Sequence, residues 1–576
     1  MTPSPVSEAL KSWPRRLRTL PIPLGLVCAA ALLHGCSLAY DLSVNQCDVN
    51  ADCESIGEGL ICGPQHICEI DNTGCLNNAE CLDDENSVSL LSACIKDPAK
   101  DPAKTRGVCT SLTTPDCPQV LPADTTVASH LLHDEDPVIL GAFTNTNLGP
   151  LLYNFDLAVN EFRLDNGGIY TQGGPRQVVM VACNGTATAD TTGDFQGSLD
   201  HAMDHLIELH VPGVVSGLEA ADLKRVFQEK GKAANMFFMS SQESDSSLGV
   251  ALQDNGLVWE MLPGGTALAK AYKPLVERTI SYLQGKGTLS GDARIALVSA
   301  PDVGLLSDMA NAVQNDPADG GIFFNDKSVT ENGDNFLGFT TQSIIANKDA
   351  DLSSTVADLL AFKPHIIIST GATEFLTKIM GPLEDQWDAS AGGQAKPFYM
   401  LSPYQYNRGS SLDSLIQRTR QRLIGLNAPS ATDPSIYNSY INRYKTAYNP
   451  QTNSYLGKEN FYDAAYYLLY AASAAGTTPL TGTSIANGML RLTHGAPYKV
   501  GPGDDMSNAI GDLSRGTSIE LIGAGGPPNF NTATGGKDDA ASAWCVDATM
   551  TTKPDVLRYQ DSDGTMQGTF PCFADY

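Results

Sequence analysis

Between Val138 and Ser216 two apolar patterns alternate, and this alternation restricts the fold more than any other feature of the chain. Val138-Ile139-Leu140-Gly141-Ala142-Phe143 is short, lies between Pro137 and the polar run Thr144-Asn145-Thr146-Asn147, and reads as a buried strand opening onto a loop. From Tyr153 to Arg163, Phe155, Leu157, Ala158, Val159 and Phe162 recur at helical spacing until Asn166-Gly167-Gly168 stops the helix. Val178-Val179-Met180-Val181-Ala182 is a second strand. A helix from Gln196 to His210 follows, with Leu199, Met203, Leu206 and Ile207 on one face, and Gly213-Val214-Val215-Ser216 is a third strand. Strands that are apolar on both faces and alternate with helices predict a parallel sheet covered on both sides.

The same alternation continues downstream. A helix through Leu223 to Lys230, the strand Met236 to Met239 and the polar loop Ser240 to Ser247 extend this first lobe. A second lobe is expected from Gly264. Its predicted elements are a helix Leu268 to Gln284, a strand Arg294 to Ser299, a helix Leu305 to Val313 and a surface insertion Asn315 to Asn335. A strand Phe336 to Ile345 and a helix Leu352 to Phe362 follow, then strands His365 to Ser369 and Pro397 to Leu401. The chain is expected to return to the first lobe after Leu423-Ile424-Gly425, with loops and short hairpins from Pro527 onward.

The order of these pieces resembles the type I periplasmic binding proteins of the leucine/isoleucine/valine-binding kind. Ala158 to Gly168 resembles the family's A-x-x-E-x-N-x-x-G-G helix ending, and Gly213 to Asp222 lies where its V-I-G-x-x-x-S turn lies. Met239-Ser240-Ser241-Gln242-Glu243-Ser244 stands where the family has I-S-P-x-A-T, and Asn460-Phe461-Tyr462-Asp463-Ala464-Ala465 resembles its late Y-D-A helix. The resemblance spans residues 136 to 530 and implies an α/β, two-lobed, hinged fold with two parallel sheets flanked by helices. It further implies a small polar ligand, such as an amino acid, held between the lobes, and an ABC permease or a sensor as partner.

In open parallel sheets ligands bind beyond the carboxyl ends of the strands. The candidate ligand-binding residues are therefore Thr144 and Asn145, Glu219 and Ala220, then Ser240, Gln242, Glu243 and Ser244 from the first lobe. The second lobe offers Asp302, Thr370, Ala372 and Thr373, with Tyr404 as an aromatic wall. Hydroxyls and exposed helix N–H groups suit a small polar ligand, and each of these Ser, Thr and Asn residues also fits the blander role of capping the next helix. Glu219-Ala220-Ala221 replaces the family's serine-rich turn, and Gln242-Glu243-Ser244 stands at its G-A-T. Two carboxylates there repel a ligand carboxylate and favour a cationic or neutral polar group, so amino-acid binding does not carry over.

Residues 1 to 35 read as an export signal, with Arg15, Arg16 and Arg18 ahead of an apolar stretch from Leu20 to Leu33 that is too short to span a bilayer. The ending Leu33-His34-Gly35-Cys36 resembles a bacterial lipobox, which makes Cys36 the lipidated residue; Ser37 after it favours the outer membrane. The expected location is the cell envelope, periplasm-facing or at the surface. Behind the leader, Cys47 to Cys53 is echoed by Cys75 to Cys81, each pair followed by two more cysteines, Cys62 and Cys68, then Cys94 and Cys109. Eight exported cysteines without a close C-x2-C pair read as disulfides rather than zinc ligands, with the connectivity open. Of the remaining cysteines, Cys117 and Cys183 flank neighbouring strands and are a candidate pair, leaving Cys545 with Cys572 as a terminal clasp.

The expected domains are 1–35 leader, 36–117 cysteine-rich module, 118–263 first part of lobe 1, 264–426 lobe 2, and 427–576 the return to lobe 1 with a loop-rich end. The 37 basic residues against 65 acidic ones, a formal charge of −28, argue against nucleic-acid partners. His201, His205 and Glu208 share one helical face but lack a HExxH frame, so no metal, cofactor or catalytic residue is expected. The reading is an exported, lipid-anchored solute-binding protein. The alternative is a surface or sensory lipoprotein that uses the same body to bind a protein partner.

Overall fold

The computed structural model describes residues 46–576 apart from 50–51, 54–55, 57–59, 63–64, 71–73, 83–90, 97–105, 145–150, 172–173, 186–194, 243, 245–247, 249–253, 301–303, 318–319, 342–350, 373, 407–409, 430–433, 451–457, 477–479, 539–540, 561 and 575. The leader, the lipobox and Cys36 lie outside the described residues. Among the described residues, no helix is long and apolar enough to cross a membrane. The chain divides into two compact units, residues 1–73 and 74–576.

The first unit contains the antiparallel pair β1 (Leu60–Cys62) and β2 (Cys68–Ile70), crosslinked by Cys47–Cys62 and Cys53–Cys68. The Asp52 carboxylate accepts the backbone N–H groups of Asp48 and Val49 at 2.8 and 3.0 Å, which ties the turn between the first two cysteines.

The second unit opens with the second cysteine repeat, which pairs β3 (Ser92–Ile95) with β4 (Val108–Ser111) and bonds Cys75–Cys94 and Cys81–Cys109. Both repeats thus join first cysteine to third and second to fourth. Glu80 accepts the Leu76 N–H at 2.8 Å, as Asp52 does in the first repeat. The second repeat packs into the body of its own unit: His133 Nδ1 lies 2.7 Å from the Asn78 carbonyl oxygen, and Ala93 and Leu112 are buried in the main core.

The first sheet comprises β5 (Gln119–Leu121), β6 (Val138–Thr144), then after a small hairpin of β7 (Ile169–Thr171) and β8 (Gly174–Arg176), β9 (Val178–Asn184), β10 (Gly213–Gly217), β11 (Phe237–Ser240) and β12 (Val258–Glu260). Its spatial order is β12-β11-β10-β6-β9-β5, parallel except for the β5 edge. The helix Leu152–Asn166 ends where Gly167 takes the left-handed conformation (φ 72°), as the Asn-Gly-Gly signal predicts. Cys117 and Cys183 are disulfide-bonded, joining the segment before β5 to the end of β9.

The second sheet begins with β13 (Ile295–Ser299) and, past the hairpin β14 (Phe323–Phe324) and β15 (Lys327–Ser328), continues through β16 (Phe336–Thr340), β17 (Ile366–Thr370), β18 (Phe398–Leu401) and β19 (Leu423–Asn427). These five run parallel in the order β16-β13-β17-β18-β19. Numbered by appearance, the parallel strands of each lobe follow 2-1-3-4-5, the doubly wound order with a switch point between the first and third strands. This duplicated arrangement is the type I periplasmic-binding-protein fold.

Past β19 the helices Pro434–Tyr448, Glu459–Ala475 and Gly482–Met489 join the first lobe's core, with a parallel pair β20 (Ala496–Lys499) and β21 (Ile519–Ile522) beside them. Glu459–Ala475 is buried almost throughout and packs on Leu152–Asn166; the Phe162 and Tyr470 ring centroids are 5.3 Å apart, edge on. Tyr462, Tyr466 and Arg443 all donate to the buried Glu161 carboxylate, at 2.5, 2.8 and 2.6 Å. The chain then crosses once more. β22 (Ser542–Val546), β23 (Thr552–Gln560) and β24 (Thr565–Gln567) extend the second sheet antiparallel from β19, and Cys545 bonds Cys572. The end expected to hold loops and short hairpins is thus a hairpin ladder belonging to the second lobe. Asp563 caps its last turn by accepting the Thr565 N–H at 3.0 Å.

Candidate ligand-binding site

In the first lobe the switch point lies between β6 and β10, where Gly217 is in register with Thr144. Thr144 and Ser240 are fully buried at strand ends. The Ser241 N–H and Oγ both donate to the Ser216 carbonyl, at 2.8 and 3.0 Å, which locks the loop after β11 to the end of β10. Asn460, one residue into the helix Glu459–Ala475, donates its amide to the Ser241 carbonyl and brings that helix's start to the same strand ends. Glu219 stands just before the helix Ala220–Val226 and makes no capping bond of its own; one of its oxygens accepts the Gln242 amide at 3.0 Å. The acid that sequence reasoning set against a ligand carboxylate is therefore hydrogen-bonded to a neighbouring candidate. Burial pushes the Asp222 carboxyl up, opposed by Arg225 and assisted by Glu219. Ser244 is 1% exposed, and its buried Oγ has no hydrogen-bond partner among the described residues.

In the second lobe Thr370 ends β17 in register with Ser299 of β13, so it stands at the equivalent switch point. It is fully buried, and its Oγ1 also lacks a partner among the described residues. Around it the loops are closed by their own side chains. Gln405 donates to Ser369 Oγ at 2.8 Å and to the Ala372 carbonyl at 3.0 Å, while its oxygen accepts the Ser402 N–H at 2.9 Å. Ser402 Oγ donates to the Gly371 carbonyl at 2.7 Å, and Glu374 accepts the Ala372 N–H at 3.0 Å. Ala372 is buried, and Tyr404 is half-buried with its ring packed against the second lobe's core. Ser369, Ser402 and Gln405 are consumed as loop fasteners, whereas Thr370 is not.

The structure thus brings Thr144, Glu219, Ala220, Ser240, Gln242 and Ser244 to the strand ends of one lobe, and Thr370, Ala372 and Tyr404 to those of the other. Asn145, Glu243, Asp302 and Thr373 lie outside the described residues. Sequence reasoning passed over Glu459. The buried Glu459 Oε2 has no partner among the described residues, and burial pushes that carboxyl up. The only signal for Glu459 was its place at the start of the Tyr462-Asp463-Ala464 helix. On the face of His201, His205 and Glu208, His205 is buried with Nε2 3.1 Å from the Leu112 carbonyl oxygen, and His201 lies 3.7 Å from Asp116. A cavity of about 440 Å3 lies elsewhere, lined by Arg278, Tyr282, Lys286 and Tyr576 on the helix Tyr272–Gly285 and the chain end.

No protein-family model and no curated protein matches the chain. Solved structures do. A leucine-binding protein from Thermotoga maritima shares 13% identity, covering 74% of this chain and 99% of its own, with a TM-score of 0.46. A fatty acid ABC transporter substrate-binding protein from Thermomonospora curvata shares 15%, covering 74% and 93%, with a TM-score of 0.47. An ABC transporter solute-binding protein from R. palustris, in complex with benzoate, shares 10%, covering 73% and 95%, with a TM-score of 0.45.

Proposed function

We propose that this chain is a solute-binding protein of the bacterial cell envelope, anchored by lipid at Cys36, that closes its two lobes around a small polar ligand and presents the closed form to an ABC permease or a sensor. The observation carrying this reading is a matched pair of buried hydroxyls. Ser244 Oγ, four residues past the end of β11 in the first lobe, and Thr370 Oγ1, at the end of β17 in the second, have no partners among the described residues. Leaving a polar group buried and unpaired costs about 1–3 kcal/mol, and a ligand that pairs with both recovers it only when the lobes close. The Ser241, Ser369 and Ser402 hydroxyls serve the loops, which keeps the number of ligand-contacting groups small. Glu219, held by Gln242, favours a ligand with a neutral or cationic donor over one with a carboxylate.

The test is a thermal-shift screen of the full chain against amino acids, polyamines, sugars and short peptides. A ligand at 100 times its Kd adds about 2.7 kcal/mol, enough to raise Tm clearly. One reproducible hit supports the reading; silence across the library transfers it to a lipoprotein whose body binds a protein partner.

A further inference from the structure

Three stretches carry the chain between the lobes: from β12 into the helix Gly265–Ala269, from β19 into Pro434–Tyr448, and from Lys537 into β22. The first and third are bonded to each other, because the Gly264 N–H donates to the Lys537 carbonyl at 3.2 Å. Residues 523–538 therefore form a strap running from the first lobe's core to the crossover. At its first-lobe end the strap covers the beginning of the helix Glu459–Ala475, and at its other end it meets Ser244, whose Oγ would stand 3.8 Å from a Cβ on Gly264.

The helix Glu459–Ala475 starts at the first lobe's strand ends. Asn460 donates its amide to the Ser241 carbonyl, just past β11. Phe461 lies against the end of β10, where a Cβ on Gly217 would stand 3.2 Å from its ring. Glu459 and Asp463, one turn apart, both lie beside the strap: a Cβ on Gly525 would stand 3.5 Å from Glu459 Cγ and 3.2 Å from Asp463 Oδ2. The two acids differ in what they bond. Asp463 accepts the Ala524 N–H at 2.8 Å through one oxygen and the Gly525 N–H at 2.7 Å through the other, so it is fully occupied. Glu459 Oε2 is buried and has no partner among the described residues. The next residue back does not serve it, for the Lys458 ammonium lies over the Phe461 ring, 5.5 Å from its centroid.

We propose that Glu459 sets the charge of the ligand: its unpaired Oε2 takes an N–H of an ammonium or guanidinium group, so the solute is an organic cation. This rests on the solute-binding reading above and narrows it from a neutral or cationic ligand to a cationic one. A buried carboxylate oxygen without a partner is costly, and a positively charged N–H donor relieves that cost more than a neutral one, because charge-assisted hydrogen bonds are the strong ones. Burial pushes the Glu459 carboxyl up, against the pull of its own N–H and of Lys458, so this acid gains from a further positive neighbour. The surrounding acids act in the same direction. Glu219 follows β10, and Asp463 stands one turn along the helix with the buried Lys537 facing it. The donor set does not suit a metal ion: among the described residues, the groups of three metal-ligating side chains are disulfide cysteines of the two repeats.

The experiment uses the full chain in detergent, as wild type, Glu459→Gln and Glu219→Gln. The probes are putrescine, spermidine, agmatine and the methyl esters of lysine and arginine, each set against a neutral counterpart of the same length, an alcohol for an amine and a urea for a guanidine. Affinities are measured by calorimetry, with the distance between spin labels on the two lobes followed in parallel. The expected result is that at least one cation binds wild type about tenfold or more tighter than its neutral counterpart. Glu459→Gln loses that preference, with an unliganded Tm that is unchanged or higher because Oε2 bonds nothing, and Glu219→Gln keeps it. Silence from every cation overturns the inference, as does a preference that Glu459→Gln retains or that only Glu219→Gln removes. Sodium or calcium chloride that stabilises wild type as well as the organic cation does, at the same concentration, also overturns it. The two readings fail separately. A neutral or anionic solute that binds and moves the labels leaves lobe closure standing without the cation, whereas a cation that binds through Glu459 with the labels fixed keeps this inference and removes closure.

Discussion

At the scale of single residues, loop hydroxyls of one type differ in what they bond. Ser402 and Thr370 look alike as loop hydroxyls, yet Ser402 is tied to Gly371 and Thr370 is unpaired. The bonds of Gln405 were illegible because its partners Ser369 and Ala372 lie 36 and 33 positions earlier and meet it only across the sheet. Replacing a buried unpaired hydroxyl with an isosteric apolar group removes nothing the unliganded protein uses. Thr370→Val and Ser244→Ala should therefore leave unliganded stability unchanged or raise it by up to about 1 kcal/mol, while cutting the ligand-induced Tm shift; urea melts with and without a hit check both. Gln405→Ala should instead cost about 1–3 kcal/mol by stranding buried partners, as the same melts would register.

Asp463 supplies a signed pH effect. Its folded-state carboxyl is raised to about 7 from 3.8, so between those values the folded chain holds a proton that the unfolded chain has released. Raising the pH from 4 to 7 therefore reduces this group's contribution to stability, at no more than about 1.4 kcal/mol per pH unit, and above 7 the contribution levels off. Subtracting the Asp463→Asn stability curve from that of wild type should isolate this slope. A difference curve that is flat from pH 4 to 7 would contradict it.

Among secondary-structure elements, legibility followed simplicity of pattern. The mostly apolar β6, β9, β13 and β17 emerged within a residue or two, whereas helix ends drifted further, as at Leu152–Asn166, whose apolar pattern reads only to Arg163. The edge strand β5 is only Gln119–Leu121, too short to carry a period, and β12 reads as Val-Trp-Glu with its acid buried. The cysteine repeats were visible from spacing, whereas their common connectivity required the hairpins that bring first to third and second to fourth. Proteolysis and mass mapping without reduction should recover Cys75–Cys94 and Cys81–Cys109 as well as Cys117–Cys183. Cys117→Ser with Cys183→Ser should lower the body's stability by about 2–5 kcal/mol, measured by denaturant melts.

Over the whole molecule, the two sheets share one winding order and are joined by three crossings. The order was legible because buried parallel strands write themselves as apolar runs. The last crossing was not, because β22 is a run of only five residues and β23 and β24 mix a few apolar residues with Thr, Lys, Asp, Arg and Gln, a composition that resembles loop. Their place in the second sheet makes the strap 523–538 a connection between lobes instead of part of a terminal tail. The measurement that tests the central claim most directly is the distance between labels on the two lobes of the full chain, with and without a hit from the ligand screen. The account predicts a shorter, narrower distribution with ligand in wild type and no change in the double variant Ser244→Ala, Thr370→Val. A ligand that binds wild type and leaves the distribution unchanged would contradict it.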